Sequence, residues 1–162
     1  MKFLRSFIIF IYFFIIYSSS IEAKKNNNFI VAKIGQDIIT QYELINEIRS
    51  TLFINNEQIN QESINRVKEY ALNSLVERSI KKIEIKKYKV NDYSKKDLNN
   101  YVQDLAKRLN FDLKNINDVF SNNNLDYELL QEAVITNLKW NTLIFRLYKK
   151  NIHINACRLP PN

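Results

Sequence analysis

The hydrophobic pattern of the chain changes from a period of two to a period of three and four at about Thr40. Residues 30–34 alternate so that the even-numbered positions share one apolar face, as in a half-buried strand. Gly35 is the single glycine and can take the positive φ of a tight turn, after which residues 38–39 can return as a second strand. The pattern predicts a small antiparallel β-hairpin.

Helical periodicity dominates after the hairpin. Thr40 and Glu43 have the spacing of a capping box and predict a helix from Gln41 to about Phe53. Later apolar stripes begin after Ser63, Ser94 and Asp126, each of which can cap a helix N-terminus. The predicted fold class is mainly α, with five helices. They are 41 to about 53, a long helix capped by Ser63 that reaches about 88, 95 to about 109, a short helix after 111–113 that contains Ile116, Val119 and Phe120, and 127 to about 150. The second helix has the widest apolar stripe and is expected to be central.

Two further expectations concern the last helix and the residues that follow it. Trp140 is expected to anchor this helix against the middle of the long helix, near residues 72–76. Ile152 and Ile154 alternate with polar His153 and Asn155, a pattern that predicts a third strand at the edge of the hairpin.

The N-terminus has the layout of a secretory signal peptide. Lys2 and Arg5 precede an apolar run over 7–17, and Ala23 offers a small residue at a cleavage site. The run is shorter than the ~20 residues that cross a bilayer as a helix, although an uncleaved anchor is the alternative. The predicted organisation is a signal peptide at 1–23, a polar spacer at 24–28, one domain at 29–154 and a tail at 155–162. This predicts an exported, periplasmic protein cleaved after Ala23.

The amino-acid composition and the net charge exclude several classes of protein. The chain has 162 residues with one glycine and two prolines, which argues against a β-sandwich and against a disordered linker protein. The net charge is +7, and about +6 without residues 1–23, where Lys2 and Arg5 oppose Glu22. Basic residues alternate with acidic ones, so a solvated surface is favoured over a dedicated polyanion site. Nucleic acid is not an expected partner.

The side chains do not predict catalysis. His153 is the only histidine and has no cysteine or carboxylate at ligand spacing, and a single glycine cannot form a phosphate-binding loop. Cys157 is the only cysteine, so it cannot form an internal disulfide. No catalytic residue, cofactor or metal is predicted, and the chain is not expected to be an enzyme.

Three segments carry a family resemblance. They are FIVAKIGQDIITQYEL at 29–44, ALNSLVERSIKKIEIKKYKV at 71–90 and LDYELLQEAVITNLKWNTLIFRLYKK at 125–150. In order, spacing and helix length they resemble the N-terminal domain of the SurA family, and the resemblance extends over residues 29 to about 154. The resemblance implies a periplasmic, ATP-independent chaperone that binds unfolded outer-membrane polypeptides. The parvulin-type prolyl isomerase domains of that family have no counterpart here, so isomerase activity is not carried over.

A binding site is expected between a helical arm at about 95–120 and the core helices. The candidate substrate-binding residues are Tyr101, Leu105, Phe111 and Phe120, which supply apolar surface for extended peptide segments. Expected partners are unfolded or outer-membrane polypeptides, and also a parvulin-bearing chain or a second copy of this chain. Membrane contact is expected only through the signal peptide. The alternative hypothesis is that the protein is a structural or adaptor subunit of an envelope complex, or a truncated remnant of a SurA-type isomerase.

Overall fold

Two short strands and five α-helices form residues 29–156, the part of the chain that the computed structural model describes. The elements are β1 (Ile30–Ile34), β2 (Asp37–Thr40), α1 (Gln41–Ile54), α2 (Gln61–Lys87), α3 (Lys95–Arg108), a 3-10 turn (Leu113–Asn115), α4 (Ile116–Asn122) and α5 (Tyr127–Ala156). The predicted mainly helical fold with one hairpin is confirmed. The predicted signal peptide at 1–23, the spacer at 24–28 and Cys157 lie outside the described residues.

The hairpin forms as the sequence predicts, with one change of face. β1 and β2 pair antiparallel, and Ile34 opposes Asp37 across a two-residue loop. Gly35 is the first residue of that loop, with φ of 60°, as a tight hairpin turn requires. The register shifts between Ile30 and Ala32, so Ile30 leaves the core face and is 64% exposed. A shift of register by one residue turns the side chains beyond it to the other face of the strand.

The capping box that opens α1 is confirmed. The Thr40 hydroxyl accepts a hydrogen bond from the Glu43 backbone N–H at 3.2 Å. In return, the Glu43 carboxylate accepts one from the Thr40 backbone N–H at 2.7 Å. Two N–H groups at the start of the helix are therefore satisfied locally, which fixes where the hairpin ends and α1 begins.

We expect Thr40→Ala to lower the free energy of unfolding by about 1 kcal/mol, because one N–H group of α1 loses its acceptor. Urea denaturation followed by circular dichroism measures this. The control is Thr142→Ala, which removes a hydroxyl bonded to the Leu138 carbonyl within α5 and should change stability little. Equal losses in the two variants would contradict a capping role for Thr40.

The start of α2 differs from the prediction by one turn. Asn60, not Ser63, is the N-cap, and its side-chain oxygen accepts from the Ser63 backbone N–H at 2.9 Å. Ser63 is the third residue of the helix, and its hydroxyl accepts a hydrogen bond from the Asn60 backbone N–H at 3.0 Å. Ser63 therefore takes part in the cap as the reciprocal partner. Asparagine and serine are both favoured at an N-cap, which is why the sequence alone misplaced the boundary.

Three groups of buried side chains hold the elements together. The largest joins the hairpin to α1 and α2, through Ile39, Leu44, Ile48, Leu52, Ala71 and Leu75. A second joins α3, α4 and the loop before α5, through Leu105, Ile116, Phe120 and Leu125. A third lies at the far end of α2, through Ile85, Val90 and Leu143.

Trp140 belongs to the third group and not to the middle of α2. It is partly buried and packs against the group that contains Ile85, Val90 and Leu143. The predicted contact with residues 72–76 is therefore wrong. Periodicity identified the correct face of α5, but it carries no information about which turn of α2 lies opposite.

The predicted third strand is also wrong, because α5 continues as a helix to Ala156. Alternation over only four residues is a weak signal, and no glycine or proline interrupts residues 127–156. A helix that is already formed adds each further hydrogen bond without a new nucleation step.

The first four helices end in the same backbone motif. Each is followed by a residue with φ of 53–55°: Asn56, Lys89, Asn110 and Asn124. In each motif the next N–H bonds back to a carbonyl five residues earlier, as Val90 does to Ile85 at 3.0 Å. These are Schellman motifs, in which glycine or asparagine is favoured at the left-handed position. Three of the four use asparagine, and α2 uses lysine.

Candidate functional site

A groove of about 650 Å³ lies among α1, α2, α3 and α5. We call it the interhelical groove. α1 lines it with residues that include Asn46, Glu47, Ser50 and Ile54, whose spacing places them on one stripe of the helix. The volume falls within the ~300–1,000 Å³ range of ligand sites in proteins.

The other walls come from three helices. α2 contributes Val67, Tyr70, Ser74 and Arg78, which are spaced by three or four residues. α5 contributes Leu130, Ala133, Val134, Asn137 and Leu138, and α3 contributes Asp97 and Tyr101. The aliphatic side chains of the groove therefore come mainly from α5, while α1 and α2 contribute mainly polar and aromatic ones.

Asn46 connects α1 to the N-terminal end of α5. It is 6% exposed, and its side-chain oxygen accepts a hydrogen bond from the Asp126 backbone N–H at 2.8 Å. Asp126 caps α5, since its carboxylate accepts from the Glu128 backbone N–H at 2.9 Å. Tyr42 also donates to the Asp126 carboxylate at 2.9 Å. α1 therefore fixes where α5 begins, and so the relative position of two walls.

Ser50 is one turn further along α1 on the same stripe. It is 6% exposed, and its hydroxyl has no hydrogen-bond partner among the residues that the structure describes. A buried hydroxyl without a partner destabilises the fold by about 1–3 kcal/mol. This residue lines the groove, and its hydroxyl is the one buried side-chain polar atom without a partner among the described residues.

A largely buried ion pair crosses the groove. Arg78 donates to both carboxylate oxygens of Glu47, at 2.8 and 2.9 Å, and the two side chains are 16% and 17% exposed. The Ser74 hydroxyl donates to the same carboxylate at 2.8 Å. The carboxylate is thereby held by two side chains of α2, which ties α1 to α2 with charge-assisted hydrogen bonds.

Two tyrosines stand at the rim. Tyr70 is 65% exposed, and Tyr101 is 37% exposed. Burial raises the pKa of the Tyr101 hydroxyl above its usual value of 10.0; Arg108 opposes this, and the negative charge of Glu47 adds to it. The Tyr101 ring is therefore a neutral, hydrogen-bonding edge of the groove near neutral pH.

The four predicted binding residues do not share one site in the structure. Tyr101 lines the interhelical groove, as expected. Leu105 and Phe120 are 1% and 0% exposed and form the second buried group, so they present no surface to a ligand. Phe111 is partly buried and packs against that same group. The arm at 95–120 is thus held by its own small core, and these three residues stabilise it.

The polar residues of α1 were not predicted from the sequence. Leu44, Ile48 and Leu52 face the first buried group, while Asn46 and Ser50 are offset by two positions and lie on nearly the opposite side. α1 is therefore buried on two faces. Small polar residues at four-residue spacing within a short apolar helix are the signal that could have indicated the second face.

The comparisons with known proteins add no relative. Searches against protein-family models, curated proteins and solved structures each found no match. Residues 29–156 hold no group of three or more His, Cys, Asp or Glu side chains that could bind a metal ion. None of the helices in that part of the chain is long and apolar enough to cross a membrane.

Proposed function

We propose that this protein is a polypeptide-binding module that holds an extended, unfolded segment in the interhelical groove. The observation that carries the proposal is the composition of the groove, which combines a mainly aliphatic wall along α5 with polar groups along α1 and α2. An extended peptide presents apolar side chains together with backbone donors and acceptors. It requires both kinds of surface from a binding site.

The groups along the groove match those two requirements. Val67 and Val134 offer apolar contact, and Asn137 offers an amide to a peptide backbone. Tyr70 and Tyr101 supply rings that contact either kind of group at low cost in conformational entropy. Binding in such a groove would be reversible and would use neither ATP nor a covalent step.

A family resemblance in the sequence and its N-terminal leader also support the proposal. The resemblance to the SurA N-terminal domain implies a chaperone of the periplasm, and the leader at 1–23 has the layout of an export signal. Unfolded outer-membrane polypeptides are the clients that the resemblance implies. We propose a chaperone without prolyl isomerase activity, because isomerisation requires a shaped proline pocket that the resemblance assigns to a different domain.

The test removes the two rim tyrosines. We expect Tyr70→Ala/Tyr101→Ala to weaken binding of a labelled peptide from an outer-membrane strand by about tenfold, since each lost aromatic contact contributes about 0.5–1.5 kcal/mol. Fluorescence anisotropy gives the affinity, and light scattering gives the protection of an unfolded outer-membrane protein from aggregation. The wild-type protein should not accelerate cis-to-trans conversion in a proline tetrapeptide.

The matched control is Tyr88→Ala/Tyr148→Ala. It removes two tyrosines that are 47% and 60% exposed and do not line the groove. This double variant should retain wild-type affinity and protection. Equal losses in both double variants would show that peptides bind to exposed aromatic surface in general, and the groove proposal would fail.

A second candidate, an adaptor that binds one fixed partner, is favoured by a different surface. Large apolar side chains are exposed on and beside the hairpin, namely Phe29, Ile30, Val31, Ile38 and Ile45. An exposed apolar surface of this kind is typical of a protein interface. Wild-type protein that gives no protection from aggregation at several-fold molar excess, but co-purifies with one stoichiometric partner, would favour the adaptor.

A further inference from the structure

A second cleft, separate from the interhelical groove, is strongly basic. It has a volume of about 430 Å³ and lies where the C-terminal end of α2 meets the N-terminal half of α5. Four lysines line it, Lys82, Lys86, Lys89 and Lys139, against a single carboxylate. We call it the lysine cleft. Basic residues that alternate with acidic ones along the sequence are here brought to one place by the fold.

The acidic side chains around the cleft are already paired. Glu132 accepts from Lys82 at 2.7 Å, and Asp92, just beyond the cleft, is held by Arg146 at 2.6 Å. Within the described part of the chain, Lys86, Lys89 and Lys139 form no ion pair with a carboxylate. Three of the lysines that line the cleft therefore have no carboxylate partner.

The helix dipole accounts for only part of this charge. Lys86 and Lys87 are in the last turn of α2, where cations are favoured by the negative end of the helix. Lys139 belongs to α5, so the preference for cations in the last turn of α2 does not explain why a lysine occupies this position in the sequence. Its ammonium group lies 5.8 Å from the centre of the Tyr93 ring, within the range of a cation–π contact.

Lys89 has a backbone conformation that is unusual for a lysine. Its φ of 53° is the left-handed conformation that closes the Schellman motif of α2. At the three equivalent positions the chain has asparagine, which tolerates this conformation better than lysine does. Lys89 thus fits its backbone less well than asparagine would, yet it lines a basic cleft, and from this we infer a role for its charge.

We propose that the lysine cleft binds a phosphate-bearing anion. Ammonium groups are strong donors to phosphate oxygens, and the Thr136 hydroxyl and the Asn91 amide, which also line the cleft, can add neutral donors. The phosphate has two sources, a soluble anion or the head group of an anionic lipid. Binding through several ammonium groups weakens as salt is raised, because the attraction is screened.

Isothermal titration of the full-length protein with inorganic pyrophosphate at low salt is the test. We expect saturable binding that Lys89→Asn weakens by about tenfold, since one charged hydrogen bond is lost. The same substitution should leave the melting temperature unchanged or raise it, because asparagine suits the backbone better. Opposite effects on affinity and stability distinguish a lost ligand contact from partial unfolding.

Lys87→Asn is the matched control. It removes the same charge from the same end of α2, but Lys87 pairs with Glu84 at 3.2 Å and does not line the cleft. We expect a change in affinity below about twofold. No saturable heat with the wild-type protein, or equal losses for Lys87→Asn and Lys89→Asn, would overturn the proposal.

Vesicles separate the two sources of phosphate. Because the apolar residues 7–17 can bind neutral lipid as well, the quantity compared is the extra binding to vesicles of phosphatidylglycerol and phosphatidylcholine over vesicles of phosphatidylcholine alone. If Lys89→Asn loses this extra binding and Lys87→Asn keeps it, the ligand is a lipid head group. If only pyrophosphate binding depends on Lys89, the ligand is a soluble anion.

Discussion

Replacing Phe120 by alanine should lower the free energy of unfolding by about 3–5 kcal/mol, which is the usual cost of emptying a core aromatic site. Phe120 is 0% exposed. Its ring meets Phe53 edge-on at 5.7 Å and Tyr127 at 5.4 Å, so it joins α4 to the end of α1 and the start of α5. The loss is a large fraction of the ~5–15 kcal/mol by which a typical domain is stable.

Urea denaturation followed by circular dichroism measures the effect, with Phe145→Ala as the control. Phe145 is 64% exposed, so the same chemical change there should alter stability by less than about 0.5 kcal/mol. We also expect Phe120→Ala to weaken peptide binding, because the small core that positions α3, and with it Tyr101, would loosen. A loss of stability below about 1 kcal/mol would show that the site repacks, contrary to this prediction.

Arg78→Met should lower the free energy of unfolding by about 1–3 kcal/mol. The substitution keeps much of the apolar stem but leaves the Glu47 carboxylate in the groove with the Ser74 hydroxyl as its remaining donor. The value is below the 3–5 kcal/mol of a fully buried pair because both side chains retain some exposure, 16% and 17%. The same denaturation experiment measures it.

Two further variants isolate the pair. In Glu47→Gln/Arg78→Met both charges are gone, so part of the loss should be recovered. Arg66→Met makes the same substitution in the exposed pair with Glu57, where Arg66 is 63% exposed, and should cost less than about 1 kcal/mol. A double variant less stable than Arg78→Met would contradict the view that the unpaired carboxylate causes the loss.

Local signals predicted the elements well. The Thr40–Glu43 capping box, the Ser94 cap of α3 and the Asp126 cap of α5 act between residues at most three positions apart. These hydrogen bonds can therefore be predicted from the local sequence. Where two polar residues competed for one cap, as Asn60 and Ser63 did, the local signal was ambiguous by one turn.

Binding residues were harder to predict than elements. Leu105, Phe111 and Phe120 were expected to contact ligands because a small helical domain has few places to bury aromatic and aliphatic side chains. The structure buries Leu105 and Phe120 in a second core that α3, α4 and the start of α5 build together. Whether an apolar stripe faces a core or a ligand depends on which other stripe lies opposite, and that is a property of the assembled fold.

The sequence by itself determined the hairpin, the five helices and most of their boundaries, because turns, caps and periodicity depend on neighbouring residues. The export signal at 1–23, the periplasmic location and the likeness to the SurA N-terminal domain stay predictions from the sequence. Tertiary structure alone decided that Asn46 and Ser50 face a groove, that Arg78 reaches Glu47 across 31 residues of chain, and that Lys89 and Lys139 share a cleft. These contacts join residues distant in sequence, and their positions are fixed only when α1, α2 and α5 pack together.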